Sequence, residues 1–423
     1  MVLTAAMTWA LAVLSHPVLA EGFLSVEKFK YLSIPVIAGI IGYGTNWLAV
    51  KMTFEPLEFV GFKAPYLGWQ GIIPSRSKKM AAIAVDSTLS KLGSLSEIFE
   101  QMDPEQISEH LLAHMRPMVP EMVEEFAQRE NPVLWNNTPD AIKAAVIARV
   151  DAQLPKAARS LMKETGEQIE HLLDLRMMVI DLLGKRPDLT NRMFWEAGEP
   201  EFKIIIKSGA YFGFALGLIQ MAVQIVFDQW WVLPIFGVLV GYATNWLALK
   251  LIFEPVEPRK IGPVTLHGLF LRRQAEIADV YCRLVTREVL TLGHFVDHML
   301  NGPRGDRTRK LVAKHTGPIM DESFGIIAPA VRQLVGSRDY DAMKSDLSVR
   351  AIEMSLDPLE DPVFSESRSA IVEATMKERM LALTSQEFAN LLRPAFQEDE
   401  LTLILVGAVL GGVAGGLQSL LVF

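Results

Sequence analysis

The chain has 423 residues, half of them hydrophobic and 21% charged, with a formal net charge of −8 and a mean hydropathy of +0.24. That acidic balance excludes the basic stripe of a nucleic-acid binder, and the single cysteine, Cys282, excludes an internal disulfide framework and a cysteine-based zinc site. High hydropathy beside so many charges points to apolar spans alternating with soluble segments.

Residues 1–20 are a short apolar run ending in Val18-Leu19-Ala20. They read as either a cleavable signal or a first transmembrane segment: the small residues suit a cleavage site, but a positive n-region is missing. From 32 to 54 an apolar stretch is long enough to cross about 30 Å of hydrocarbon as a helix. It is interrupted by Thr45, Asn46 and Lys51 and stopped by Glu55-Pro56. Residues 57–203 read as a soluble helical domain, with apolar residues at helical spacing in Ile142, Val146, Val150 and Leu154. Asp103-Pro104-Glu105 and Thr138-Pro139-Asp140 read as helix starts, each a capping residue before a helix-opening proline. No run carries the sustained alternation of a sheet. Further spans are expected at 208–227, 232–253 and 401–423, with a second helical soluble domain over 256–400.

The chain repeats itself. Gly42-Tyr43-Gly44-Thr45-Asn46-Trp47-Leu48-Ala49 returns as Gly241-Tyr242-Ala243-Thr244-Asn245-Trp246-Leu247-Ala248, and Gly209, Gly213, Gly217 and Gln220 return as Gly407, Gly411, Gly415 and Gln418. The fold class expected is therefore an all-α integral membrane protein: a tandem parallel repeat of span, helical soluble domain and span, preceded by the signal-like or helical N-terminal run. Each unit crosses twice, so both soluble domains lie on one side, unlike the inverted repeats of many transporters. Lysine and arginine crowd that side, which places it in the cytoplasm by the positive-inside rule.

Four groups of residues stand out. Thr45, Asn46, Thr244 and Asn245 form a candidate intramembrane polar interface, either as hydrogen-bonding glue between helices or as a site shared by the repeats. Lys51 with Glu55, and Lys250 with Glu254, lie one helical turn apart at the membrane boundary; they read as snorkelling pairs, or as a gate or headgroup site if symmetry unites them. Ser75, Arg76, Lys78, Lys79, Arg272 and Arg273 are candidate headgroup contacts, because juxtamembrane cations near a helix start attract phosphate. Gly209, Gly213, Gly217, Gly407, Gly411 and Gly415 carry the small-x3-small spacing of close helix packing. His110/His114 and His294/His298 are spaced to share a helix face but lack a third ligand. No metal, cofactor or catalytic residue is assigned, since no P-loop, HExxH, GxSxG or dinucleotide fingerprint is present.

GYGTNWLAVKMTFEP, GWQGIIPSRSKKMA, the glycine-rich span ending in Gln220 and RPAFQEDEL together resemble the YheB/YjiN-like bacterial membrane proteins, known as domain of unknown function 445. The resemblance runs over residues 32–420. It implies a multi-pass protein of the bacterial inner membrane with helical cytoplasmic segments, and it brings no reaction, substrate or catalytic residue.

The function expected is noncatalytic: binding of a protein partner or anionic lipid through the paired cytoplasmic domains, with the membrane as the first partner and nucleic acid excluded. Two alternatives are a lipid or small-solute transporter working at the repeat interface and a membrane enzyme acting on lipid headgroups. If the domains are cytoplasmic, an impermeant maleimide added to intact spheroplasts should leave Cys282 unlabelled, whereas labelling would reverse the topology.

Overall fold

The structure, a computed structural model, describes residues 26–63, 67–86, 93–130, 132–324, 337–359, 361–397 and 400–422. The signal-like run 1–20 lies outside them. Helices predominate throughout. The chain divides into two compact units, and the division cuts across the expected segments: one unit comprises 1–88, 183–281 and 380–423, the other 89–182 and 282–379. Residues of both soluble segments thus fold together within the second unit.

The first unit holds four helices long and apolar enough to cross a membrane. They are α1 (Val26–Phe54), α10 (Pro187–Val226), α11 (Val232–Phe253) and α19 (Glu400–Val422). Between α1 and α10 lie β1 (Val60–Lys63), β2 (Leu67–Trp69), α2 (Ile72–Ser75), α3 (Ser77–Ala84), α4 (Leu95–Gln101), α5 (Pro104–Met115), α6 (Val119–Glu130), α7 (Pro132–Asn136), α8 (Asp140–Leu172) and α9 (Leu175–Lys185). After α11 come β3 (Arg259–Ile261), β4 (Val264–Leu266), α12 (Leu269–Arg272), α13 (Gln274–Leu284), α14 (Leu292–Asn301), α15 (Gly305–Phe324), α16 (Ser337–Leu359), α17 (Pro362–Ala382) and α18 (Ser385–Gln397). The helix carrying the expected span 208–227 is 40 residues long, roughly 60 Å or twice the thickness of the hydrocarbon, so it continues well beyond the membrane.

Helix α1 packs along α10 and α11 along α19, and the two pairs close on each other through α10 with α11 and α1 with α19. Glycine sets the approach. A Cβ on Gly209 would land on the Gly42 carbonyl, one on Gly213 on that of Ala38, and one on Gly217 would meet Pro35 Cα at 2.7 Å. In the second pair Gly407 faces Gly241, Gly411 the carbonyl of Gly237, and Gly415 that of Leu233. Ile34, Met221 and Leu233 cluster near the connection between α10 and α11, while Ile40, Tyr43, Val238, Leu405 and Val409 remain exposed on the outer faces, where lipid tails satisfy them.

Each span that ends in Phe-Glu-Pro is followed by a cis proline and a two-stranded antiparallel hairpin, β1–β2 or β3–β4. The hairpins are an addition to the all-α expectation. Strands of three or four residues are too short to show alternation, and Gly262, at φ 62°, supplies the left-handed turn of the second. Beneath the first span, Val50, Phe54, Ile73, Met80 and Phe202 form a compact apolar cluster.

In the second unit α8 lies against α15, and Val119, Val150, Leu154 and Ile319 form a core cluster. Glu164 Oε2 is 2.8 Å from His315 Nε2, and its Oε1 accepts from Lys314 Nζ at 2.6 Å. These partners, Lys314 first, hold the Glu164 carboxyl below the usual carboxylate range. Asp103 caps α5 by accepting from the Gln106 N–H at 3.2 Å, as its sequence signals. Thr138 does otherwise: its hydroxyl donates to Leu134 O at 2.8 Å, and α8 opens at Asp140 with Pro139 at the cap. Cys282 is fully buried, which leaves its thiol silent as a reporter of sidedness.

Replacing Gly213 or Gly411 with leucine is expected to force the paired spans apart and cost about 1–3 kcal/mol or more. Thermal unfolding in detergent should show this as a lowered midpoint, and an unchanged midpoint would contradict the close packing.

Candidate functional site

The donors of Thr45, Asn46, Thr244 and Asn245 bond within each helix pair, while Asn46 Oδ1, Gln224 Oε1 and Gln418 Nε2 are buried without a hydrogen-bond partner. Asn46, fully buried, donates from Nδ2 to Ile205 O at 2.8 Å. Asn245 donates to Leu403 O at 2.7 Å, and Leu403 holds the same place relative to Gly407 that Ile205 holds relative to Gly209. Thr45 and Thr244 bond back to carbonyls of their own helices, Gly42 O at 3.2 Å and Val240 O at 2.8 Å. This is the geometry of helix-packing glue, worth about 0.6 kcal/mol and at most 1–2 kcal/mol per bond in a membrane.

The boundary charges likewise pair inside their own helices. Lys51 lies 3.7 Å from Glu55 and Lys250 3.5 Å from Glu254. Their ammonium groups sit over Trp47 at 5.4 Å and Trp246 at 4.8 Å from the ring centroids. The two sets then diverge. Arg393 reaches Glu254 at 3.4 Å. At the position matching Arg393 the first stretch carries Trp195, whose ring meets Phe54 edge-on at 5.0 Å. Beside Trp195 a half-open cleft of about 530 Å³ remains, lined by Trp47, Lys51, Glu55, Arg192 and Trp195 among others. Asn191 anchors its floor by donating to Phe54 O at 3.0 Å.

Of the candidate headgroup contacts, Ser75, Arg76, Lys78, Lys79 and Arg272 are exposed, while the neighbouring Ser77 is buried. Ser75 Oγ donates to Ile72 O at 2.8 Å, closing its own turn. The Lys78 stem covers Gly184, where a Cβ would meet Lys78 Cε at 2.7 Å. Arg273 is committed elsewhere. Its guanidinium holds both oxygens of Glu201, at 2.7 and 2.8 Å, and its Nε reaches Glu276 at 2.7 Å. Glu201 is 1% exposed, so this pair is a structural clamp inside the unit rather than a free cation for phosphate. Burial alone would lower the Arg273 pKa, and the carboxylate partners outweigh it and raise it.

Sequence reasoning passed over Glu201, Arg192 and Trp195. Glu201 carries a usable signal, an acid set within the turn that leads into the apolar run of α10, but its partner lies 72 residues away. Among the described residues no group of three or more histidine, cysteine, aspartate or glutamate side chains is placed to hold a metal. His110 stacks on Phe364 at 3.8 Å and lies 3.0 Å from Pro358 O. His294 Nδ1 lies 3.1 Å from Val289 O.

Over part of its length the chain is similar to curated membrane proteins. It is 40% identical over 68 residues to a UPF0754 membrane protein of Nostoc punctiforme, covering 15% of each chain. It is 34% identical over 74 residues to a UPF0754 membrane protein of another Nostoc strain, covering 16% of each. The match thus spans about one sixth of the length of these relatives. No family model and no solved structure matches the chain. Membrane residence is what the relatives and the four apolar helices share.

Arg273→Ala is expected to strand a buried carboxylate and destabilise the protein by about 3–5 kcal/mol. A thermal midpoint equal to wild type would show that the Glu201 clamp carries no structural load.

Proposed function

We propose that the chain is a noncatalytic protein of a bacterial inner membrane that binds phospholipid headgroups at the membrane boundary, with its helical unit in the cytoplasm. The reading includes a duplicated span–domain–span origin and kinship with the YheB/YjiN-like group. The observation that carries it is the cleft at the end of α1. Two tryptophans, Trp47 and Trp195, suit the interfacial layer. Lys51 and Arg192 line the cleft beside Glu55 and Asp188, each cation already near a carboxylate, Glu55 at 3.7 Å and Glu196 at 3.5 Å, that a headgroup phosphate would have to displace. Exposed Arg76, Lys78 and Lys79 supply further positive charge on neighbouring elements of the same unit. Val60, Phe62 and Leu67 of the adjoining hairpin are exposed, Phe62 completely, which suits a loop dipping into the interface. The pairing of Asn46 and Asn245 within their own helix pairs favours binding over a transport path lined by both.

The test is native mass spectrometry of the detergent-purified protein titrated with phosphatidylglycerol. Basic contacts at about 1 kcal/mol each predict a roughly 30-fold loss of retained lipid in the Lys51→Gln, Arg192→Gln double variant. Unchanged retention would sink the headgroup reading. For sidedness, Phe62→Cys should react with an impermeant maleimide in inside-out vesicles and not in intact spheroplasts; the reverse pattern would place the hairpin outside the cytoplasm.

A further inference from the structure

We infer that the helical unit formed by 89–182 and 282–379 holds, in its core, one medium-length alkyl chain with a polar end, in a site separate from the boundary cleft. A cavity of about 150 Å³ lies among α5, α8, α14, α15 and α16, walled by side chains such as Leu111, Leu161, Phe295 and Leu311. A second cavity of about 80 Å³ lies beside it, and the two share Met115, Leu154, Thr316, Ile319 and Ala351 as wall. Protein interiors leave few voids larger than a water molecule, because every lining atom without a neighbour forfeits its dispersion contacts. Two adjoining apolar cavities, each partly open to the surface, therefore leave room for an occupant and a way in. Along α8 the lining of the two cavities together extends from Val146 to Thr165, about five helical turns, so they follow one another along the helix. They suit one flexible chain better than a ring system.

Size narrows the class. A dry apolar cavity of about 150 Å³ accepts a six-carbon ring, so by the same measure the larger cavity takes about six carbons, and a chain of about nine or ten carbons fills both by shifting side chains of the shared wall. The polar end has a counterpart in the wall. Thr308 lines the larger cavity, is 5% exposed, and its Oγ1 has no hydrogen-bond partner. Ser323 in the smaller cavity is equally buried and unpartnered. A buried hydroxyl with its bond unmade is costly, and a ligand carboxyl or ester oxygen beside Thr308 would satisfy it. His315, the ionisable residue in the lining, is already engaged by Glu164. The wall therefore offers hydrogen bonding without a free cation, and the occupant's identity rests on its chain.

The test uses full-length protein in amphipol, free of alkyl detergent, with two probes: decanoic acid carrying a diazirine near its methyl end, and a phospholipid bearing the same ten-carbon chain. Photolabelling is expected on α8 and α15, for example at Leu161 and Val312, with competition by unlabelled decanoic acid. Ala157→Trp, which fills the larger cavity, should cut labelling at least tenfold without lowering the thermal midpoint. Ala351→Phe, at the shared wall, provides the same readout if the first variant does not fold. Thr308→Val should weaken competition by decanoic acid severalfold. Labelling by the free acid alone identifies a fatty acid, and labelling by the phospholipid alone identifies a lipid chain; either supports the site. Labels confined to the spans, or undiminished by both filling variants, would overturn it. Lys51→Gln with Arg192→Gln should leave this labelling unchanged, which separates the two sites.

Discussion

The membrane half of the molecule depends on a coupling between an amide and a missing side chain. Asn46 can reach the Ile205 carbonyl because the residue one turn on, Gly209, has no Cβ; one there would stand 2.7 Å from the amide nitrogen. Asn245, Leu403 and Gly407 repeat the arrangement. Neither residue type suffices alone. The glycine brings two backbones close enough for dispersion and weak contacts to hold them, and the asparagine uses that closeness to find a partner it lacks in hydrocarbon. Helix register follows, since sliding by one residue would remove the acceptor and put side chains into carbonyls at once.

How much of this was legible in the sequence depended on range. The four apolar spans and the Asp103 cap follow from periodicity and local chemistry, and both stand in the structure; the glycine rows lie where paired backbones approach. What escaped was either too short or too far apart. The hairpins carry too few residues for a period of two to register. Thr138 offered a cap on paper but closed the preceding helix, because its hydroxyl had a carbonyl four residues back. The Glu201–Arg273 clamp joins residues whose spacing obeys no local rule. The assembly of 89–182 with 282–379 into one unit is likewise a long-range fact. Of the candidate sites, the asparagines and boundary lysines were visible as residues, while the cleft was not, since Arg192 and Trp195 come from the far end of the segment.

The two similar stretches are most informative where they differ. Their packing residues correspond closely, as expected of positions where almost any change would clash. At the boundary the correspondence breaks: Arg393 leans on Glu254, whereas Trp195 meets Phe54 edge-on and leaves Glu55 beside a half-open cleft. One stretch adds an arginine to its Lys250–Glu254 pair, and the other leaves its Lys51–Glu55 pair at the edge of the cleft.

The interleaving of the helical unit also has a consequence for synthesis on the ribosome. Helix α8 finds its partner α15 only after the second and third spans have been made. Until then Val150 and Leu154 lack the cover that Ile319 later provides. Contacts of such sequence separation are slow to form and leave apolar surface uncovered meanwhile. The nascent first half must therefore wait at the membrane in an unfinished state, its solubility resting on the charged faces of its helices until the second half emerges.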